Sequence, residues 1–389
     1  FAVQQILKFY DKQPTDYADY FQAAWRYKHR AALKNPRATL ATLAAEAKLS
    51  PKYLPMVWRI LEEKDAVGPV AKLQKMFRAL PAPAANAPEA VRKECVAMRD
   101  FVVRIRNHTA MQFAAPFVKG LPAGSQPLLN WKLKQFSQHH RDSEPKYLIL
   151  DTDPAAVAPT IPRFAGLHQE AAPRWAAVTA KARMGDADLV IPAAERARYE
   201  AAFQRLATVF PDRFFVRERG RYWPDETTDK GRFLSAGYHS VLGFYRDDAP
   251  LSELILDEKA DRELKALWDQ FDFIAQFTDR TWVQYFFNQS GEVDGKGAES
   301  ASPRPVDYPL HHPTVIGKMR EAYLAKAAAD SKNDPVAPQA IREHFDGINA
   351  TLRSLEKMRT EGEPKQMLAL HRFTERAYRR PVTKAERDG

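Results

Sequence analysis

The chain has a single cysteine, Cys95, among 389 residues. One thiol forms no intrachain disulfide, builds no Cys-type zinc site and holds no iron–sulfur cluster. Without a CxxCH pair, these residues also carry no covalent c-type haem. The HExxH pattern of zinc proteases and the GxSxG nucleophile elbow are both missing. No apolar run approaches the ~20 residues that a membrane-spanning helix needs, so no membrane span is expected. The chain opens on Phe1 rather than Met and has no basic-then-apolar leader, which gives the expectation of a segment processed or excised from something longer.

What is present is globular material. The hydrophobic fraction is 45%, and 7 Trp, 14 Tyr and 22 Phe exclude wholesale disorder. Lys and Arg number 59 against 49 Asp and Glu, a net charge of +10. At ~100–200 residues per domain, two or three domains are expected.

Apolar residues recur at three- and four-residue steps through residues 1–80, as in Tyr17, Tyr20, Phe21, Ala24 and Trp25, and predict a helical domain. Residues 81–88, Pro-Ala-Pro-Ala-Ala-Asn-Ala-Pro, read as a linker. A central, loop-rich domain is expected over 89–312, with helices near 193–209 and 257–277, the second carrying Leu264, Leu267, Trp268, Phe271 and Ile274 on one face. Valines make 89–106 ambiguous between helix and strand, 147–150 reads as a short strand, and 214–223 suits a small hairpin. Three helices close the chain at 313–329, 338–359 and 363–378 within a C-terminal region 313–389. The expected fold is mainly α: several helical subdomains, long irregular connections and at most a small β-hairpin.

The spacing from Thr39 to Leu54, with Trp58 beyond, has the form of a helix-turn-helix, with Ser50 as cap and Pro51 at the first position of the second helix. A basic chain of this shape could bind phosphate. Against that, the second helix offers only Lys52 and Arg59 and is otherwise apolar, so nucleic acid is the disfavoured reading. Asp225, Thr227 and Asp229 alternate like calcium-loop ligands, and Asp225 and Asp229 are weak metal candidates; Lys230 stands where such a loop needs glycine. The pairs His139-His140 and His311-His312 suit one metal poorly, because adjacent side chains diverge. The segment Gly291 to Lys296 falls one residue short of a phosphate loop. The most site-like cluster joins Tyr238, His239, Arg246, Asp247 and Asp248, an imidazole near two carboxylates with aromatic walls. Its bland alternative is a buried histidine and an aspartate that caps the helix at Pro250. No cofactor is expected within the chain, and whether it is an enzyme stays open.

Several stretches resemble the large exported multidomain proteins of planctomycetes and their relatives, which join conserved domains of unassigned chemistry to a cytochrome-c-type module. The resemblance rests on Ala24-Trp25-Arg26-Tyr27-Lys28-His29-Arg30, Leu49-Ser50-Pro51-Lys52-Tyr53-Leu54, Gly124-Ser125-Gln126-Pro127-Leu128, Ser235-Ala236-Gly237-Tyr238-His239 with Tyr245-Arg246-Asp247-Asp248, and above all Phe373-Thr374-Glu375-Arg376-Ala377-Tyr378-Arg379-Arg380-Pro381-Val382-Thr383. It implies a middle portion of such a protein, with its last helical module truncated. It further implies export to the periplasm or cell surface, haem c elsewhere in the full-length polypeptide, and partners that are other domains, a cytochrome c module among them. No catalytic residue follows from it. The expected role is a helical scaffold or docking portion, with an enzyme or ligand site around His239 and Asp247, or a nucleic-acid-binding helix pair, as the competing readings.

Overall fold

The computed structural model describes residues 2–83, 87–113, 127, 146–150, 186–211, 213–215, 248–275, 278, 312–331 and 335–388. Over these the fold is mainly α. In chain order the helices are α1 (Ala2–Asp11), α2 (Tyr17–Lys28), α3 (Leu40–Glu46), α4 (Leu54–Leu61), α5 (Gly68–Arg78), α6 (Ala87–Asn107), α7 (Arg196–Val209), α8 (Ala249–Leu254), α9 (Glu258–Ala275), α10 (Pro313–Ser331), α11 (Val336–Tyr378) and α12 (Lys384–Asp388). Strands β1 (Thr109–Phe113) and β2 (Lys146–Leu150) pair antiparallel, with Thr109 opposite Leu150 and Phe113 opposite Lys146.

Helix α2 shows why the N-terminal region folds as it does. Asp16 caps it by accepting from the Ala18 amide at 2.9 Å. Tyr17, Tyr20, Phe21, Ala24 and Trp25 then form one buried stripe at helical spacing. The tyrosine hydroxyls find acceptors: Tyr17 donates to the Pro211 carbonyl at 2.5 Å, Tyr20 to Pro14 at 2.8 Å, and Tyr53 to Val209 at 2.7 Å. Burial raises the pKa of both Tyr20 and Tyr53, so these phenols stay neutral donors.

The ambiguity over 89–106 is resolved by period. In α6, Val91, Cys95, Met98, Val102 and Ile105 are buried at steps of four, three, four and three, while Val103 is exposed. The helix therefore forms despite its valines, because burial of one stripe outweighs their weak strand preference. Residues 109–113, in the central region expected to be loop-rich, form β1, packed against α6 and α7. The expected hairpin at 214–223 lies outside the described residues beyond Phe215; Phe214 itself is buried, and its carbonyl accepts from Leu251 at 3.1 Å.

The Pro/Ala stretch does not part the core. The Trp25 indole donates to the Pro81 carbonyl at 2.9 Å, α6 packs on α2, and one apolar cluster runs from Ile6 through Ile105 and Phe203 to Phe271. Arg92 binds Asp16 at 3.2 Å and also pairs with Asp19, pinning α6 to the start of α2. These side chains are about a third exposed, so they orient the helices more than they stabilise them.

Gly68 opens α5 with φ of +55°, and a Cβ there would meet the Tyr199 ring at 3.1 Å, so backbone and space both select glycine. At the C-terminal end, the break expected between 359 and 363 is absent: α11 runs 43 residues straight through Pro364. Proline removes one N–H and crowds the carbonyl four residues back. That carbonyl, of Thr360, lies on a stretch exposed all round, where water meets it. A second apolar cluster joins α10 to the first half of α11 through Ile316, Tyr323, Ala327, Ile341, Phe345, Leu352 and Leu355.

Candidate functional site

Of the site residues expected from sequence, Tyr238, His239, Arg246 and Asp247 lie outside the described residues, as do Asp225 and Asp229. Asp248 is described, and it is a core residue at 3% exposure. Its Oδ2 accepts from the Tyr10 hydroxyl at 2.9 Å and from the Trp268 indole at 2.8 Å. The carboxylate thereby joins α1, α8 and α9. The bland alternative had an aspartate capping the helix at Pro250; Asp248 stands at the N-cap position of α8 but makes no capping bond with its side chain. Two neutral aromatic donors in the core offered more than an amide at a helix end, because each would otherwise need another acceptor out of water.

The helix-turn-helix also resolves toward structure. A capping box holds α3, with the Thr42 amide donating to Thr39 Oγ1 at 3.1 Å and the Thr39 amide to Thr42 Oγ1 at 2.9 Å. The second helix begins at Leu54, three residues after the expected Pro51, with Pro55 in its first turn. Ser50 serves the turn before it: its Oγ accepts from the Tyr53 amide at 3.3 Å and donates to the Leu254 carbonyl at 3.3 Å. Leu54, Val57, Ile60 and Leu61 face the core, and Lys52 Nζ is held by the Ser252 carbonyl at 3.2 Å. Trp58 is half-buried between Tyr27 and Phe77. A recognition helix must present polar side chains to base edges. This one presents Arg59 and spends the rest of its surface on packing.

Other chemical groups are likewise committed. Cys95 is buried, and burial pushes its thiol up to about 12, which removes it as a nucleophile. Among the described residues no group of three His, Cys, Asp or Glu side chains could hold a metal. His312 accepts the Thr314 amide on Nδ1 at 3.3 Å and so marks the start of α10; its neighbour His311 lies outside the described residues. Asp188 receives Lys72 at 2.6 Å and Arg104 at 2.6 Å. Partial burial works to raise its pKa, and those two cations together outweigh it and hold the carboxyl below the usual range.

The largest contrast with a covered surface is the second half of α11. Beyond Leu355 none of its residues is buried. Leu370 is 55% exposed, Phe373 68% and Tyr378 58%, with Met367 and Leu368 also bare. At 100° per residue, Leu370, Phe373 and Ala377 share one stripe, with Met367 and Tyr378 along its edge. Lys365, Arg372 and Arg376 stack along the adjoining border, and with Leu368, Ala369 and Phe373 they line a shallow open depression. Among the described residues these three cations enter no ion pair. The arm ends cleanly. Arg379 adopts the left-handed conformation at φ +55°, and α12 then starts on a second capping box, in which the Thr383 amide donates to Glu386 at 2.9 Å and Arg380 grips the same carboxylate at 2.5 and 2.9 Å. The 7-and-4 spacing of Lys365, Arg372 and Arg376 was the signal for this face.

The described residues thus define a mainly α protein whose most distinctive surface is a bare, basic-edged helical arm. No helix among them is long and apolar enough to cross a membrane. No family model, no curated protein and no solved structure matches the chain.

Proposed function

We propose that the chain is a helical scaffold that docks other modules, in an exported multidomain protein of the kind its sequence resembles. The observation that carries this reading is the arm of α11, which presents Leu370, Phe373 and Tyr378 to solvent at helical spacing. An exposed apolar patch rimmed by charge is a common form of interaction surface. The rest of the chain supplies a platform: a shared core from α1 to α9 and a helix pair, α10–α11, from which the arm projects. In this reading the partners are other domains of the same or a larger polypeptide, with a cytochrome c module bearing the haem, in the periplasm or at the cell surface. The catalytic alternative around His239 and Asp247 gains nothing from Asp248, which the core has taken.

The full reading frame tests the linkage. A secretory leader upstream and a CxxCH elsewhere in the polypeptide are expected; a frame with neither overturns export and haem partnership together. The docking role is tested by His239→Ala and Phe373→Ala in the complete protein. Loss of an assay activity with His239→Ala at unchanged stability would replace the scaffold reading with the catalytic one.

A further inference from the structure

We infer that the bare face of α11 docks an amphipathic helix of another polypeptide, whose apolar stripe is bordered by carboxylates. This rests on the scaffold reading and names the chemistry of the partner. Leu370, Phe373 and Ala377 repeat at three and four residues, the spacing of a helix–helix seam, and Met367 extends it by a turn. Along one border run Lys365, Arg372 and Arg376, all exposed and none of them paired among the described residues. In two-helix seams the bordering charges select the partner and its orientation. Three cations on one border select Asp or Glu across it.

Two other occupants fit the face less well. A second copy of the chain would set Lys365, Arg372 and Arg376 against their own kind when antiparallel, and when parallel would offer the three of them one border carboxylate, Glu375, so neither pairing satisfies the border. An anionic lipid surface calls for cations on both borders and carboxylates turned to water. Here Glu363 sits within the apolar arc and Glu375 on the opposite border, so the face has the width and the one-sided charge of a seam.

The test uses the whole chain and two labelled 21-residue peptides with leucine at both seam positions of each heptad. One peptide carries glutamate at the bordering positions and the other lysine. Fluorescence anisotropy is expected to show the glutamate peptide binding at least about tenfold more tightly than the lysine peptide, a difference that narrows with added salt. Arg372→Glu with Arg376→Glu should invert the preference, and Phe373→Ala should weaken both peptides. These side chains are exposed, so circular dichroism and the unfolding midpoint should remain those of the parent. Equal binding of both peptides, or no inversion, overturns the acidic partner and leaves docking standing. No binding of either peptide overturns the partner and the docking role of the arm together. Self-association by sedimentation, lost in Phe373→Ala, or tighter binding to phosphatidylglycerol vesicles than to the glutamate peptide, overturns the inference in favour of a second copy or a lipid surface.

Discussion

The two halves of α11 carry similar patterns and meet different fates. In the first half Ala337, Ala340, Ile341, His344, Phe345, Leu352 and Leu355 recur at helical steps and are buried against α10. In the second, Met367, Leu370, Phe373 and Ala377 recur at the same steps and stand bare. The pattern specifies a helix with an apolar side; what covers that side is set by another element. In α2 and α6 the cover is supplied within the chain, and there the same spacing produces a core.

The sharpest way to break this comparison is to truncate one phenylalanine in each setting. Phe21 is fully buried in α2, and Phe21→Ala should cost roughly 3–5 kcal/mol through lost burial and the cavity left behind. Phe373→Ala should change stability by less than about 0.5 kcal/mol, as exposed positions do. Urea unfolding measures both. A Phe373→Ala penalty near that of Phe21→Ala would show that the arm is covered after all.

A smaller effect is expected at Asp248. Asp248→Ala removes the acceptor shared by Tyr10 and Trp268 and should destabilise by roughly 1–3 kcal/mol, with Asp248→Asn milder because it keeps an oxygen there. Trp268 fluorescence reports the change directly. A neutral Asp248→Ala would mean that those donors find other acceptors once the carboxylate is gone.

Much of this architecture was legible. Helices α3, α7, α9 and α10 stand within a few residues of their sequence-based positions, since each has a strong period or a clear start, such as Thr39 for α3 and Pro313 for α10. Ile274 was placed on one face of α9 with Leu264, Leu267, Trp268 and Phe271, and it is 66% exposed where Leu264 and Trp268 are buried. A break was expected at 360–362, just before Pro364, and the helix instead runs through both. The strand β1 was missed because Thr109–Phe113 is short and its partner, β2, lies more than thirty residues on; no local window contains that pairing. At the site, the aspartate was legible as special but not its role. A carboxylate that receives Tyr10 and one that awaits a substrate look alike in sequence, and a partner 238 residues away decides between them. The basic border of α11 was visible as spacing, though its exposure was not.

Protonation sharpens the comparison within α11 itself. His344 is packed in the first half, and burial lowers its pKa to about 3. In the unfolded chain the ring titrates near 6.5. Above that value both states are neutral and nothing is gained or lost. As pH falls from 6.5 toward 3, the unfolded state takes up a proton that the folded state refuses, so stability drops by at most about 1.4 kcal/mol per unit. Protection factors of α10 amides, taken relative to the intrinsic exchange rate at each pH, should fall across that window, and His344→Leu should flatten the response.

The smallest effect lies past the arm, at the exposed cap of α12. Arg380 donates to Glu386 and, with the Thr383 amide and hydroxyl, holds its carboxyl well below the usual range. Since the folded pKa is depressed, the cap is present above the ordinary carboxylate range, and on acidification it should outlast that range before protonation releases it. Both groups are surrounded by water, so the change concerns local order and leaves global unfolding untouched. Thr383→Ala should fray Lys384–Asp388, seen as faster amide exchange there, with Phe373 and the arm unaffected. If Thr383→Ala instead slowed or quickened exchange along Leu370–Tyr378, the cap and the docking face would be one cooperative unit, and the arm would have to be redrawn to include α12.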